Sequence, residues 1–418
     1  MESIRSFKQY RSLRQTLLHD AYFILLCAAV LVLPFHKTLS FIPLFFAGCL
    51  GILIMILNRR TFFMGMKPFL ISASVYLIFI YAYYISENKA AAKIDLQIKL
   101  SLLLIPLIMG FVKGLHRKLI GTLITLFVIS CCIMSISAVV LALNNYFLHH
   151  ENTFYYKELV AFSGMHPAYL GMYISFSIIC ITHYIITKYK TLSNGRKIFL
   201  LCICAWFLFF LLLLTARTAL IVTLLFANCA YIYWGKKYEK LKFAVITCIL
   251  VNVLGFILLL SLPTTRERFE TLFIYKNANP ENSANLRDQI WHTIFNNTET
   301  FWLQGIGNGD DTDALISWYQ KDGFTKGVAE KYNAHNQFLQ IWIMCGIGGL
   351  LYFIIIYVYQ IRFALKRMQY PYFFFLLLFI LNCLTESMLE TQSGVIFFTL
   401  FNALYISLAT SSSPEPLQ

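Results

Sequence analysis

Charge is scarce in this sequence. Only 13% of the 418 residues are Asp, Glu, Lys or Arg, and 59% are hydrophobic. Soluble domains carry about 25% charged and about 45–50% apolar residues, so a soluble multidomain enzyme is excluded. Alternating patterns are missing too. A membrane β-barrel needs alternating strands of about 10 residues. Here the apolar residues run in blocks, many longer than the roughly 20 residues of a bilayer-spanning helix. The eleven cysteines all lie inside those blocks, and no C-x-x-C pair occurs. Neither a disulfide framework nor a zinc site is expected. A cleavable signal peptide is not expected either, because residues 1–20 are polar and basic and no A-x-A site follows the first apolar block. What remains is an all-α polytopic membrane protein, a single integral domain over 1–418.

The apolar blocks divide into twelve spans, near 20–35, 40–57, 68–86, 99–112, 119–143, 167–187, 198–214, 218–234, 243–262, 335–361, 370–388 and 392–410. Arg217 is the only charge between Ile198 and Trp234. A single helix of that length would span about 55 Å, against a hydrocarbon core of about 30 Å. The stretch is therefore two helices joined by a tight turn at Thr215–Thr218, with Arg217 at a membrane face. The net charge of +14 would suggest nucleic acid in a soluble chain. Here topology explains it, and no nucleic-acid partner is expected. With both termini cytoplasmic, the inner segments hold 21 Lys and Arg, while the short outer loops hold 6, namely Lys37, Lys89, Lys93, Lys99, Lys157 and Arg217. That bias follows the positive-inside rule.

The segment 263–334, between spans nine and ten, is then extracytoplasmic. It is the only soluble-like region, and it carries ten of the twenty acidic residues. A structureless connection of this length is unusual and often functional, so short helices and part of a site are expected in it. One helix is visible in the pattern: Asn285 as N-cap, then Leu286, Ile290, Trp291 and Ile294 on one face.

Intramembrane charges are few, which makes them informative. Arg217 sits on the outer face, where the positive-inside rule disfavours it; it is either a topological arginine or one that faces a cavity and an anion. Arg287 falls in the first turn of the loop helix, where the helix dipole disfavours a cation. Either it pairs with Asp288 on the surface or it shares an anion with the helix N-terminus. His335 opens the tenth span within Asn333-Ala334-His335-Asn336-Gln337, ten residues or so before the run Gly346-Ile347-Gly348-Gly349. It is an interfacial histidine or a proton acceptor at neutral pH. The glycines would let another helix pack closely.

Further candidates are His166, which opens the sixth span, and Glu386 and Glu390, one helical turn apart at the end of the eleventh. Asp311-Thr312-Asp313 has the form of a metal-holding D-x-D but lacks a nucleotide-binding α/β domain around it. Gly305-Ile306-Gly307-Asn308-Gly309 lacks the strand–helix context of a dinucleotide fingerprint and reads as a loop hinge. Adjacent His149 and His150 cannot face one way on a helix, so neither is expected to hold a metal. Arg217, Arg287, His335, His166 and Glu386 all fall on one side of the membrane. A transporter would instead place polar residues near the midplane of broken helices.

The sequence resembles the O-antigen ligase/polymerase superfamily of bacterial membrane glycosyltransferases. The resemblance rests on Asn333 to Leu339 followed by Gly346 to Leu350, on Leu214-Thr215-Ala216-Arg217, on Leu286 to Trp291, on Gly305 to Gly309, and on Thr385-Glu386-Ser387 with Gly394 to Phe398. It covers most of the chain. It implies a polyprenyl-diphosphate-linked glycan donor and a transfer that uses no nucleotide sugar, metal or other cofactor. It implies a catalytic His335, with Arg217 and Arg287 on the donor diphosphate. Glu386, His166 and Asn336 would bind the acceptor or support the histidine. The acceptor it implies is lipid A–core in an O-antigen ligase; a repeat-unit polymerase and a protein O-oligosaccharyltransferase share the pattern. The expected location is the bacterial inner membrane, with the site facing the periplasm. A lipid-linked glycan transporter is the alternative of another class.

Overall fold

A computed structural model of the protein describes residues 2–36, 38–57, 65–112, 117–261 and 283–411. Among these residues all regular structure is helical. Eight helical stretches are long and apolar enough to cross a membrane, and four more are shorter apolar helices. These twelve coincide with the twelve spans of the sequence. The first are α1 (Glu2–Val32) and α2 (Phe41–Leu57). The third span is broken at Ser74–Val75 into α3 (Lys67–Ala73) and α4 (Tyr76–Ile85). The fourth reaches further back than expected, as α5 (Lys89–Lys99) and α6 (Ser101–Phe111) with Leu100 between them. Lys99 therefore lies inside a helical span and is no loop charge.

Next come α7 (Arg117–His149), the short α8 (Tyr156–Leu159), α9 (Pro167–Lys188), α10 (Asn194–Leu213), α11 (Arg217–Lys237) and α12 (Leu241–Ser261). The turn between α10 and α11 falls where helix length required it, with Thr215 in the left-handed region at φ +49°. Residues 262–282, the start of the long connection, lie outside the described residues. The rest of it forms α13 (Ser283–Asn296), α14 (Asp311–Lys321) and α15 (Thr325–Glu330). The helix expected near 285 is present, but it already includes Ser283, so Asn285 lies inside its first turn rather than capping it. The chain ends with α16 (Gln337–Lys366), α17 (Tyr370–Cys383) and α18 (Gln392–Ser411).

The last helix is the hub of the bundle: 89% of its most apolar window is buried, against 22% for α10. It packs on α3, α5, α6, α7 and α17. Its Phe397 and Phe401 join Phe127, Tyr173, Phe176 and Phe375 in one aromatic cluster, with ring centroids as close as 4.6 Å for Tyr173 and Phe397. Lipid tails are as apolar as these side chains, so such packing, rather than hydrophobicity, holds helices together in a bilayer.

The long connection has a second core. Ile290, Ile294, Phe301, Leu315, Trp318 and Tyr319 pack with Ala334 and Ile343. The first turns of α16 thus belong to this subdomain. At Gly346 the helix is interrupted, with φ +64° and ψ −172°. The break exposes carbonyls that the glycine-rich turn satisfies: Ile306 N donates to Ile343 O (3.0 Å) and Gly307 N to Met344 O (3.0 Å), while Ile347 N donates to Trp302 O (2.8 Å). A Cβ on Gly346 would lie 2.2 Å from Leu303 O, and one on Gly305 would lie 2.5 Å from Met344 O. The 305–309 turn is therefore a docked plug, not a hinge, and Gly346 admits a loop rather than a neighbouring helix. The part of α16 after the break, at about 1.5 Å per residue, is itself long enough to cross a core of about 30 Å.

Candidate functional site

The site lies where the loop subdomain meets the turn between α17 and α18. His335 precedes α16 with φ +43°, a conformation uncommon for a non-glycine residue. Its neighbours hold it there. His335 N donates to Asn333 Oδ1 (2.9 Å), Ala334 N donates to Gln340 Oε1 (3.0 Å), and Ala334 O accepts from Trp291 Nε1 (2.9 Å). The ring then faces Glu386, with Nδ1 2.9 Å from Oε2.

Arg287 reaches the same carboxylate from α13. Its terminal nitrogen lies 2.6 Å from Glu386 Oε1, and its Nε donates to Thr385 O at 3.0 Å. All three side chains are partly exposed, at 25% for His335, 26% for Arg287 and 13% for Glu386. Asn336 serves as N-cap of α16: its Oδ1 accepts from Phe338 N (2.9 Å) and Leu339 N (3.2 Å). Its Nδ2 donates to Leu384 O (3.1 Å), tying the cap to the turn that carries Glu386.

Burial pushes the Glu386 carboxyl up. The hydrogen bond and charge of His335, with the charges of Arg287 and His166, outweigh this and hold it below its ordinary value. An ionised carboxylate only accepts hydrogen bonds. The Nδ1–H of His335 must therefore donate to Glu386, which leaves the lone pair of a neutral ring on Nε2. This is the tautomer in which a histidine can take a proton from a third group.

His166 and Arg217 approach from two other elements. His166 caps α9, its Nδ1 accepting from Ala168 N (3.3 Å), and its ring contacts Tyr156 and Tyr169 edge-on. Burial pulls its imidazole below the ordinary value; Glu386 opposes this, and Lys157, His335 and Arg287 add to it. Arg217 is the first residue of α11. Its neighbour Thr218 accepts a hydrogen bond from Thr385 Oγ1 at 3.0 Å. The Tyr156 phenol is pushed up by burial and by Glu386, and is opposed by the charges of Arg287 and Arg217. The structure thus brings His335 and Arg287 onto Glu386, ties Asn336 to the same turn through Leu384 O, and sets His166 and Arg217 at the edge. Tyr156 was not singled out from the sequence; it is an ordinary tyrosine in an aromatic-rich chain.

Nor did the sequence point to a buried polar network behind the site. Lys99 is fully buried and pairs with Asp95 and with Glu390 (2.8 Å). Asn308 donates to Asp95 (2.6 Å), and Gln337 donates to Glu390 (3.3 Å). Asp311 of the D-x-D is buried and accepts from Gln340 (2.6 Å), whereas Asp313 is exposed. The two carboxylates do not converge. Among the described residues no group of three or more His, Cys, Asp or Glu is placed to hold a metal ion.

The fold and site define a class: an all-α polytopic membrane protein with a histidine–carboxylate–arginine cluster where a loop subdomain meets helix ends. Residues 200–354, less than half of the chain, match the family model described as O-antigen ligase. The matched segment holds Arg217, Arg287, His335 and Gly346, and it ends before Glu386. No curated protein matches the chain.

Proposed function

We propose that the protein is an O-antigen ligase. It would transfer a glycan from a polyprenyl-diphosphate carrier to a lipid A–core acceptor at the periplasmic face of the bacterial inner membrane. The observation that carries this reading is the contact of His335 with Glu386 and of Glu386 with Arg287, in a chain whose middle matches the O-antigen ligase model.

The chemistry follows from these groups. An acceptor hydroxyl attacks the anomeric carbon, forming the new glycosidic C–O bond. Its proton passes to Nε2 of His335, whose imidazolium Glu386 then stabilises. The bond between the anomeric carbon and the carrier oxygen breaks, and the electron pair leaves with the diphosphate. Arg287 uses its Nε and one terminal nitrogen within the protein; the rest of its five N–H donors can turn to the diphosphate. Arg217 would supply the second guanidinium. Charge-assisted bidentate bonds suit a phosphate group, and removal of one such donor typically costs about 2.7–4 kcal/mol in the transition state. A direct displacement inverts the anomeric centre.

The test is a strain deleted for the protein, with surface lipopolysaccharide resolved on a gel and carrier-linked glycan measured beside it. The ligase reading expects the ladder to vanish while long glycan accumulates on the carrier. Core capped by a single repeat would mean a polymerase. An unchanged ladder would move the acceptor to protein or to another exported polysaccharide.

A further inference from the structure

The polar network around Lys99 has no part in the displacement, yet its connections run straight to the residues that do. Lys99 is fully buried in the fourth span, and its ammonium lies 4.7 Å from the Phe79 ring centroid. A buried lysine is costly unless it is paired, and here it has two carboxylates, Asp95 from its own helix and Glu390 from the turn between α17 and α18. Glu390 follows Glu386 by one helical turn's worth of chain in that turn.

Glu390 also accepts from Gln337 Nε2, and Gln337 Oε1 accepts from Leu389 N at 2.6 Å. Gln337 is the first residue of α16, immediately beyond His335 and its cap Asn336. Asp95 in turn accepts from Asn308 of the docked plug. Beside it, Asp310 accepts from Glu87 N (2.7 Å) and Asn88 N (3.0 Å). Three segments therefore meet at one ammonium: α5, the turn that carries Glu386, and, through Gln337 and Asn308, the loop subdomain that presents His335 and Arg287.

We propose that Lys99 is a positioning residue, whose pairing with Asp95 and Glu390 sets the separation of Glu386 from His335. It touches no reacting atom. It acts by fixing the two ends of the Glu386–His335 contact to the same point in the bundle. This rests on the reading of His335 as the proton acceptor. A shift of about 1 Å in a catalytic group can cost on the order of a hundredfold in rate, so the tie matters to turnover more than to substrate binding.

The experiment uses full-length protein in detergent-solubilised membranes, where added lipid reaches the proposed periplasmic face. The probe is the lipid extract of a host deleted for the protein, which holds the accumulated donor and acceptor. Initial rates against extract concentration give kcat and KM, with protein level read by immunoblot. The variants are His335→Ala, Lys99→Met, and Lys99→Met combined with Asp95→Asn and Glu390→Gln. The combined variant removes the stranded buried charges, so it keeps the test decisive if Lys99→Met alone fails to fold. The expected result is full membrane level for the combined variant, a kcat lower by about tenfold or more, and KM within about twofold of wild type. A wild-type kcat in the combined variant, or a change confined to KM, overturns the proposal. Wild-type transfer by His335→Ala overturns the chemical reading and the proposal with it. An inactive His335→Ala beside a fully active combined variant overturns the positioning role alone.

Discussion

His335 sits in a backbone conformation that its own side chain does not favour, at φ +43°. Such positions cost about 1–3 kcal/mol and persist where the surroundings over-determine them. Asn333, Gln340 and Trp291 do so here. His335, Arg287 and Glu386 could be picked from the sequence because charge is scarce and the pattern sets each near a helix end, although Arg287 proves to be the fifth described residue of α13. Lys99 could not: counted as a loop charge, it is a buried cation. Asn308, Gln337 and Gln340 carry no charge, and only the fold reveals what they hold. Asp311 offers a test at this scale. Burial lifts its carboxyl from 3.8 to about 8, with Glu390 and Asp95 adding and Lys99 opposing. The folded protein therefore keeps a proton that the unfolded chain releases between those values, and stability falls as pH rises through that window. Asp311→Asn removes the dependence and still offers an oxygen to Gln340. In detergent, Asp311→Asn should melt at least about 2 °C above wild type at pH 8 and together with it at pH 4. Glu386 is common to both proteins and cancels. Equal melting at pH 8 would show that Asp311 is not a buried acid.

Helix α16 is two elements in one. Its first turns complete the loop core through Ile343, and the remainder crosses the bundle. The sequence showed where the span begins and the glycines within it. It did not show the break, because the partners that stabilise it, Trp302, Ile306 and Gly307, lie some forty residues away along the chain. Two glycines separate the effects of backbone and space. Gly346 is in a region of φ and ψ essentially reserved for glycine, and its added Cβ would collide with Leu303 O. At Gly348 nothing lies within 4 Å of an added Cβ. Gly346→Ala should therefore destabilise the docked loop by at least about 1–3 kcal/mol, read as faster proteolysis between α13 and α15. Gly348→Ala should leave the cleavage rate unchanged. Equal rates for Gly346→Ala and wild type would contradict the docked geometry.

At the scale of the molecule, the twelve apolar helical spans among the described residues, with the helices of 283–330, follow the architecture that hydropathy and helix length required. What hydropathy could not order was the bundle itself, in which the last helix is central and α10 peripheral, because apolar spans look alike until their aromatic contacts are known. The bundle brings the 384–391 turn, the start of α11 and the loop subdomain together, and the proposed activity depends on that meeting. The most direct test is complementation of the deletion strain with His335→Ala, scored by the lipopolysaccharide ladder and by protein level in the membrane. The account predicts wild-type protein level, no ladder and carrier-linked glycan accumulating. A full ladder from His335→Ala at wild-type level would contradict it.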